Sequence, residues 1–211
     1  MALRVIATLI SLFLALPVSA QEFISCSKSE ISQAQEAIAA AEKIALTAAV
    51  SIGDTPEYRR WFGFYTKANA AEVRANFKAI HSVLRNNEVK VLCAAVGQED
   101  CTADMFANVW QHDAYRINLC PAFFEMPRIH VFANTSSQME NGTRAGTIIH
   151  EVSHFAVVAN TDDICYTRTT CSEMALQSRR LLVDNADSYQ YFAEDIAYQR
   201  RLTGASTSDL Q

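Results

Sequence analysis

Apolar residues recur every three or four positions over most of the chain and alternate over only a few short runs. Val73, Phe77, Ile80 and Leu84 are spaced 4, 3 and 4 apart, which predicts an amphipathic helix from about Asn69 to Arg85, closed by Asn86-Asn87. Upstream, Ser27-Lys-Ser-Glu30 has the spacing of a capping box and leads an alanine-rich segment to about Ser51, ended by Gly53. Thr55-Pro56 reads as an N-cap followed by proline in a first helical turn. The middle of the chain changes period. Val89–Cys93 and Arg116–Cys120 are short β-type runs, and Asn108 to Tyr115 is read as a further one. Helical spacing returns from Arg144 to Val158, from Ser172 to Val183 and from Asp187 to about Arg200. Helices, a small central sheet, then helices again predict an α+β domain that is mainly helical.

The first twenty residues break this pattern. Arg4 precedes an apolar run from Val5 to Leu16, followed by Pro17 and Val18-Ser19-Ala20. Small residues stand where a signal peptidase reads, so residues 1–20 are expected to be a secretory signal peptide. A single domain is expected over 21–211, its last residues, 204–211, polar and frayed. No later segment is long enough to span a bilayer. Losing Arg4 takes the formal charge from −5 to −6, and no basic stripe is present, so a nucleic-acid partner is not expected. Cys26, Cys93, Cys101, Cys120, Cys165 and Cys171 are an even set without a CxxC pair, which in an exported chain favours disulfides. Cys165 and Cys171 are close enough to clip one loop. Asn134-Thr-Ser136 and Asn141-Gly-Thr143 fit the N-glycosylation pattern, which has meaning only in a eukaryotic secretory route. Secretion is expected, or a periplasmic location if the cell is bacterial.

The chemistry concentrates in Gly146–Phe155, GTIIHEVSHF. Residues four apart on a helix share a face, so His150 and His154 can offer two imidazole nitrogens to one ion. Glu151, offset around that helix, can reach a water beside the ion. Zinc suits such donors and needs a third protein ligand with a fourth position left open. The bland alternative is a buried helix whose histidines bond their neighbours. Downstream there is no third histidine, but Asp162 and Asp163 follow the helix, and spacing alone does not choose between them. His81, His112 and His130 have no partner spacing and are read as structural or surface groups.

His-Glu-x-x-His followed by Thr161-x-Asp163-x-x-Tyr166 resembles the aspzincins, the deuterolysin-type zinc metalloendopeptidases, and most of all their peptidyl-Lys branch. YRRWFG from Tyr58, YRINLC ending at Cys120 and NADSYQYFAE from Asn185 are similar to the same branch. The resemblance implies a zincin-like fold and one Zn²⁺ per chain held by His150, His154 and Asp163. It makes Glu151 the general base and Tyr166 the donor to the oxyanion in an enzyme acting on proteins or peptides; a monomer is expected. It also implies a lysine preference after the scissile bond, received by Asp187 and by the position of Gln190, which is neutral in this chain. Asp187 alternatively reads as a first-turn acid favoured by the helix dipole, with Asn185 as N-cap. The family's glycines beside Thr161 and Tyr166 are replaced by Asn160 and Thr167, and β-branched Thr167 predicts a different path for the loop after Tyr166. The rival function is a secreted zinc-binding domain without turnover, toxin-like or inhibitory.

Overall fold

The computed structural model describes residues 21–86, 89–131, 139–178 and 180–204. The signal segment, the tail beyond Gly204 and the Asn134 sequon lie outside the described residues. Among the described residues, six α-helices pack chiefly on one another beside a four-stranded sheet, giving the mainly helical α+β architecture: α1 (Lys28–Ser51), α2 (Pro56–Phe62), α3 (Lys67–Arg85), α4 (Arg144–His154), α5 (Arg168–Ala175) and α6 (Ala186–Thr203). The strands are β1 (Glu22–Ile24), β2 (Lys90–Cys93), β3 (Ala107–Asn108) and β4 (Arg116–Leu119), in the order β1-β2-β4-β3. β1, β2 and β4 are parallel, and β3 closes the edge antiparallel to β4.

Local chemistry explains the helix starts. The Ser27 backbone N–H donates to the Glu30 carboxylate at 2.7 Å and Glu30 N–H donates back to Ser27 Oγ at 3.3 Å, completing the capping box. Thr55, Thr66 and Thr143 each accept an N–H three residues on, satisfying donors that a helix leaves orphaned. α1 buries a face made largely of alanine (Ala34, Ala37, Ala41, Ala45, Ala48), so α3, α4 and α6 approach it closely. α6 is buried continuously from Ala186 to Ile196, the signature of a helix inside the core rather than upon it. Its Tyr189 and Phe192 stack with Phe62 and Phe77 at ring separations of 5.1–5.7 Å.

Three sequence expectations are corrected. The helix through the motif stops at His154, not Val158. Phe155 turns extended (φ −55°, ψ 127°) and Val158 N–H closes a turn onto its carbonyl at 2.8 Å. Four more helical residues would have carried the chain about 6 Å onward, away from the site to which Asp163 returns. The helix expected over Ser172–Val183 instead runs Arg168–Ala175, followed by a 3₁₀ turn at Leu181–Asp184. Between them Ser178 offers its carbonyl to Phe64 N–H at 3.1 Å. Gly63 permits that approach, because a Cβ there would sit 2.3 Å from the Ser178 oxygen. The strand expected over Asn108–Tyr115 is only Ala107–Asn108, since Asp113 N–H turns back onto Trp110 O at 2.9 Å.

The cysteines join as Cys26–Cys93, Cys101–Cys120 and Cys165–Cys171. The first ties the start of α1 to the end of β2, and the third closes the loop ahead of α5. Among the described residues no helix is long and apolar enough to cross a membrane.

Candidate metal centre

α4 is buried along its whole length and carries His150, Glu151 and His154 to the floor of a cleft of about 620 Å³. Ala107 and Asn108 of β3 line it, as do Asp163, Tyr166 and Thr167 of the loop before α5, and Asp187 and Gln190 of α6. Four separate stretches of sequence therefore meet at one site.

The imidazoles are oriented from behind. His150 Nδ1 lies 2.7 Å from Asp187 Oδ1, and His154 Nδ1 lies 2.8 Å from the Thr161 carbonyl oxygen. A carboxylate and a carbonyl accept hydrogen bonds, so both Nδ1 atoms donate and the two Nε2 atoms are turned into the cleft. Those Nε2 atoms are 3.0 Å apart, and Asp163 Oδ1 is 3.2 Å from the first and 3.3 Å from the second. In the neutral tautomer this brings two nitrogen lone pairs and a carboxylate together, an arrangement that requires positive charge at its centre. Two imidazoles and one carboxylate are a donor set that zinc accepts, with room left for a further ligand. The residues therefore fit the ion. Asp162, the other candidate, forms a parallel bridge with Asn185 through its backbone, and its side chain meets Gln111.

The titration behaviour has the same origin. Burial opposes charge on His150, but hydrogen bonds with Asp163 and Asp187 and the surrounding carboxylates outweigh it and raise its pKa well above the ordinary value. Burial likewise opposes charge on Asp163, yet its hydrogen bonds with His150 and His154 hold that carboxyl well below the usual range. Burial pushes Glu151 up, with Asp163 and Asp187 adding to it and the two histidines opposing. Tyr166 is half exposed, and its phenol is raised first by desolvation and then by a hydrogen bond onto Asp163, so it stays protonated as a donor.

The loop bearing Asp163 and Tyr166 is held at both ends. Thr161 N–H donates to Ser153 O at 3.2 Å, and Ile164 and Cys165 N–H both donate to Asn185 Oδ1 at 3.0 Å. Asn185 occupies the N-cap position of α6 but makes no side-chain cap bond to the helix backbone; its side chain secures this loop instead. Asn160 (φ 50°) and Thr167 (φ 69°) both adopt positive φ. Thr167 takes positive φ despite its β-branch. The residue accepts a strained backbone of the kind found at functional sites, and its N–H reaches Asp187 Oδ2 at 3.1 Å.

One buried ionic cluster lay beyond sequence reasoning. Arg168 donates to Glu194 Oε2 at 2.6 Å and to Asp195 Oδ1 at 2.7 Å, with its guanidinium 4.7 Å from the Tyr191 ring and 5.3 Å from that of Trp61. Glu194 Oε1 also accepts from Thr143 N–H at 2.7 Å and Thr143 Oγ at 2.8 Å, at the start of α4. A Cβ on Gly146 would fall 2.0 Å from that same oxygen, so α4 sits directly on the carboxylate. The sequence signal was faint: an acidic pair, Glu194-Asp195, between the apolar residues Phe192-Ala193 and Ile196-Ala197.

Comparison with known proteins gives a consistent picture. Residues 45–194 match the family profile Aspzincin M35, described as lysine-specific metallo-endopeptidase. An extracellular protease of Aeromonas hydrophila is 32% identical over 174 residues, covering 81% of this chain and 46% of that protein. The chain thus spans about half the length of this relative. A peptidyl-Lys metalloendopeptidase of Pleurotus ostreatus is 29% identical over 180 residues, 82% of this chain and 96% of that one. The solved structure of a zinc peptidase from Grifola frondosa superposes with a TM-score of 0.67 at 28% identity, covering 81% of this chain and 97% of that one.

Proposed function

Because the chain belongs to the Aspzincin M35 family, we propose that it is a secreted zinc endopeptidase in which His150, His154 and Asp163 hold one Zn²⁺. The observation that carries this reading is the convergence of His150 Nε2, His154 Nε2 and Asp163 Oδ1 within 3.0–3.3 Å, each imidazole already turned by an acceptor behind it. Zinc, when bound, supplies Lewis acidity, polarising the scissile carbonyl and easing deprotonation of water.

The remaining work falls to the chain itself. Glu151, buried and held towards neutrality, takes the proton of the attacking water and returns it to the leaving amine, a role suited by a pKa raised above the usual carboxylate range. The Tyr166 phenol, which lines the same cleft as Asp163, donates to the oxygen on which negative charge develops. Tyr166→Phe is accordingly expected to lower kcat about 10²-fold with little change in KM, as removal of an oxyanion donor does; steady-state kinetics on one peptide reads both parameters.

A preference for lysine after the scissile bond is supported by the field of the cleft. Asp104, Glu151, Asp162, Asp163 and Asp187 line it, and among the described lining residues there is no Lys or Arg. Gln190 adds no charge and donates its amide to Asn141 O at 3.0 Å, so the preference is weaker than with an acid at that position. Secretion is supported by three disulfides and by similarity to a protein named as extracellular.

The test is digestion of a denatured protein mixture with and without a chelator, with the new N-termini mapped. Cleavage that chelator abolishes and zinc restores, with lysine enriched at the new N-termini, is the expected result. Stoichiometric zinc without cleavage would establish the non-catalytic domain instead.

A further inference from the structure

The resemblance casts Asp187 as a receiver of substrate lysine, but its surroundings describe a different residue. It stands in the first turn of α6 and is 5% exposed. Oδ1 accepts from the metal-side histidine, His150 Nδ1, at 2.7 Å, and Oδ2 accepts from Thr167 N–H at 3.1 Å. An ammonium group entering the cleft would meet a carboxylate whose two oxygens already have donors.

Those two bonds connect separate parts of the centre. The first joins α6 to the histidine of α4. The second joins α6 to the residue directly after Tyr166, four beyond Asp163. From these contacts we infer that Asp187 is a positioning residue of the metal centre: one oxygen fixes the tautomer and orientation of His150, and the other pins the loop that delivers Asp163 and Tyr166.

The chemistry of the two histidines sharpens this. His154 is backed by a neutral carbonyl, that of Thr161, whereas His150 is backed by an anion. An anionic acceptor makes the imidazole the stronger electron donor to a cation, and losing such a partner typically weakens metal affinity 10- to 100-fold. Replacing the carboxylate with an amide of the same shape harms one bond whichever way the amide lies. If NH₂ faces His150, Nδ1 must become the acceptor, and the proton moves to Nε2 where the metal should bind. If NH₂ faces Thr167, two donors oppose each other.

The inference rests on His150 being a zinc ligand, and the experiment separates the two. Chelator-stripped protein is titrated with Zn²⁺ in competition with a chromophoric chelator, for the wild type, Asp187→Asn and Asp104→Asn, each checked by thermal melting. Asp104 also lines the cleft but shares no hydrogen bond with either histidine. Wild-type protein that fails to take up one zinc overturns the metal reading itself. With zinc bound by the wild type, Asp187→Asn is expected to bind about 10- to 100-fold more weakly, while Asp104→Asn matches the wild type. Asp187→Asn affinity within about twofold of the wild type, with altered discrimination between lysine and neutral substrates, overturns the inference and returns Asp187 to specificity. Should Asp187→Asn not fold, ¹⁵N NMR of the histidine side chains in the zinc-loaded wild type decides: a proton on His150 Nδ1 with the metal on Nε2 upholds the inference, and the reverse arrangement overturns it.

Discussion

Glu151→Gln should retain its zinc and lose turnover by about 10²- to 10⁴-fold, the range associated with a positioned general base. Gln has the shape of Glu and keeps the packing of a residue that is 4% exposed in α4, but it cannot take a proton from water. A carboxylate oxygen of Glu151 lies within 4.8 Å of ring nitrogens of both histidines. It is therefore close enough to reach a water held between them, and also close enough to be mistaken for a ligand. Metal analysis together with initial rates tells these apart. Loss of zinc along with activity would make Glu151 a ligand, and substantial activity in the variant would remove it from the mechanism.

Arg168→Met is expected to destabilise the fold by about 3–5 kcal/mol, the cost of removing one partner from a buried ionic group. Methionine keeps much of the apolar stem between Trp61 and Tyr191 but leaves Glu194, 0% exposed, and Asp195, 2% exposed, without their shared cation. For a domain of this size the melting temperature should fall on the order of 10 °C. Burial already raises the Glu194 carboxyl with Arg168 present, and without it the carboxyl rises further. A carboxyl whose folded pKa lies above its unfolded one binds more protons in the folded state. Its charged form therefore costs stability as pH climbs through that folded value. The deficit of Arg168→Met should be largest at neutral and alkaline pH and shrink towards acid. Adding Glu194→Gln should recover part of it, since a neutral amide oxygen still accepts from Thr143. Thermal melts across pH check all three statements; a deficit below about 1 kcal/mol at neutral pH would show that the cluster is not holding the fold.

The sequence made the metal helix legible because its chemistry is local. His150 and His154 share a face by spacing alone, and the apolar residues around them identify the helix. Capping chemistry at Ser27 and Thr55 located helix starts for the same reason. Spacing left Asp162 and Asp163 open, and loop geometry is what turns Asp163 towards the two histidines and Asp162 towards Gln111. What remained illegible depends on contacts distant in sequence. Asp187 meets His150 across 37 residues and Arg168 meets Glu194 across 26. Thr161 contributes a backbone carbonyl, a group every residue carries. The early end of α4 was hidden by Phe155–Val158, whose apolar character fits either a helix or a turn: Phe155 is fully buried and Val157 is 66% exposed. β1, at three residues, was too short to display a period.

The loop from Asn160 to Thr167 begins and ends on left-handed backbone, hangs from Asn185 and Ser153, and overlaps the Cys165–Cys171 bridge. Every one of these restraints runs through protein groups. The conformational entropy of placing Asp163 is thus lost when the chain folds, and need not be lost again when a cation is captured. Such preorganisation lets the coordination free energy appear as affinity for the ion rather than as ordering of a segment. In this respect the proposed centre is the opposite of a zinc finger, whose metal must assemble the structure that binds it.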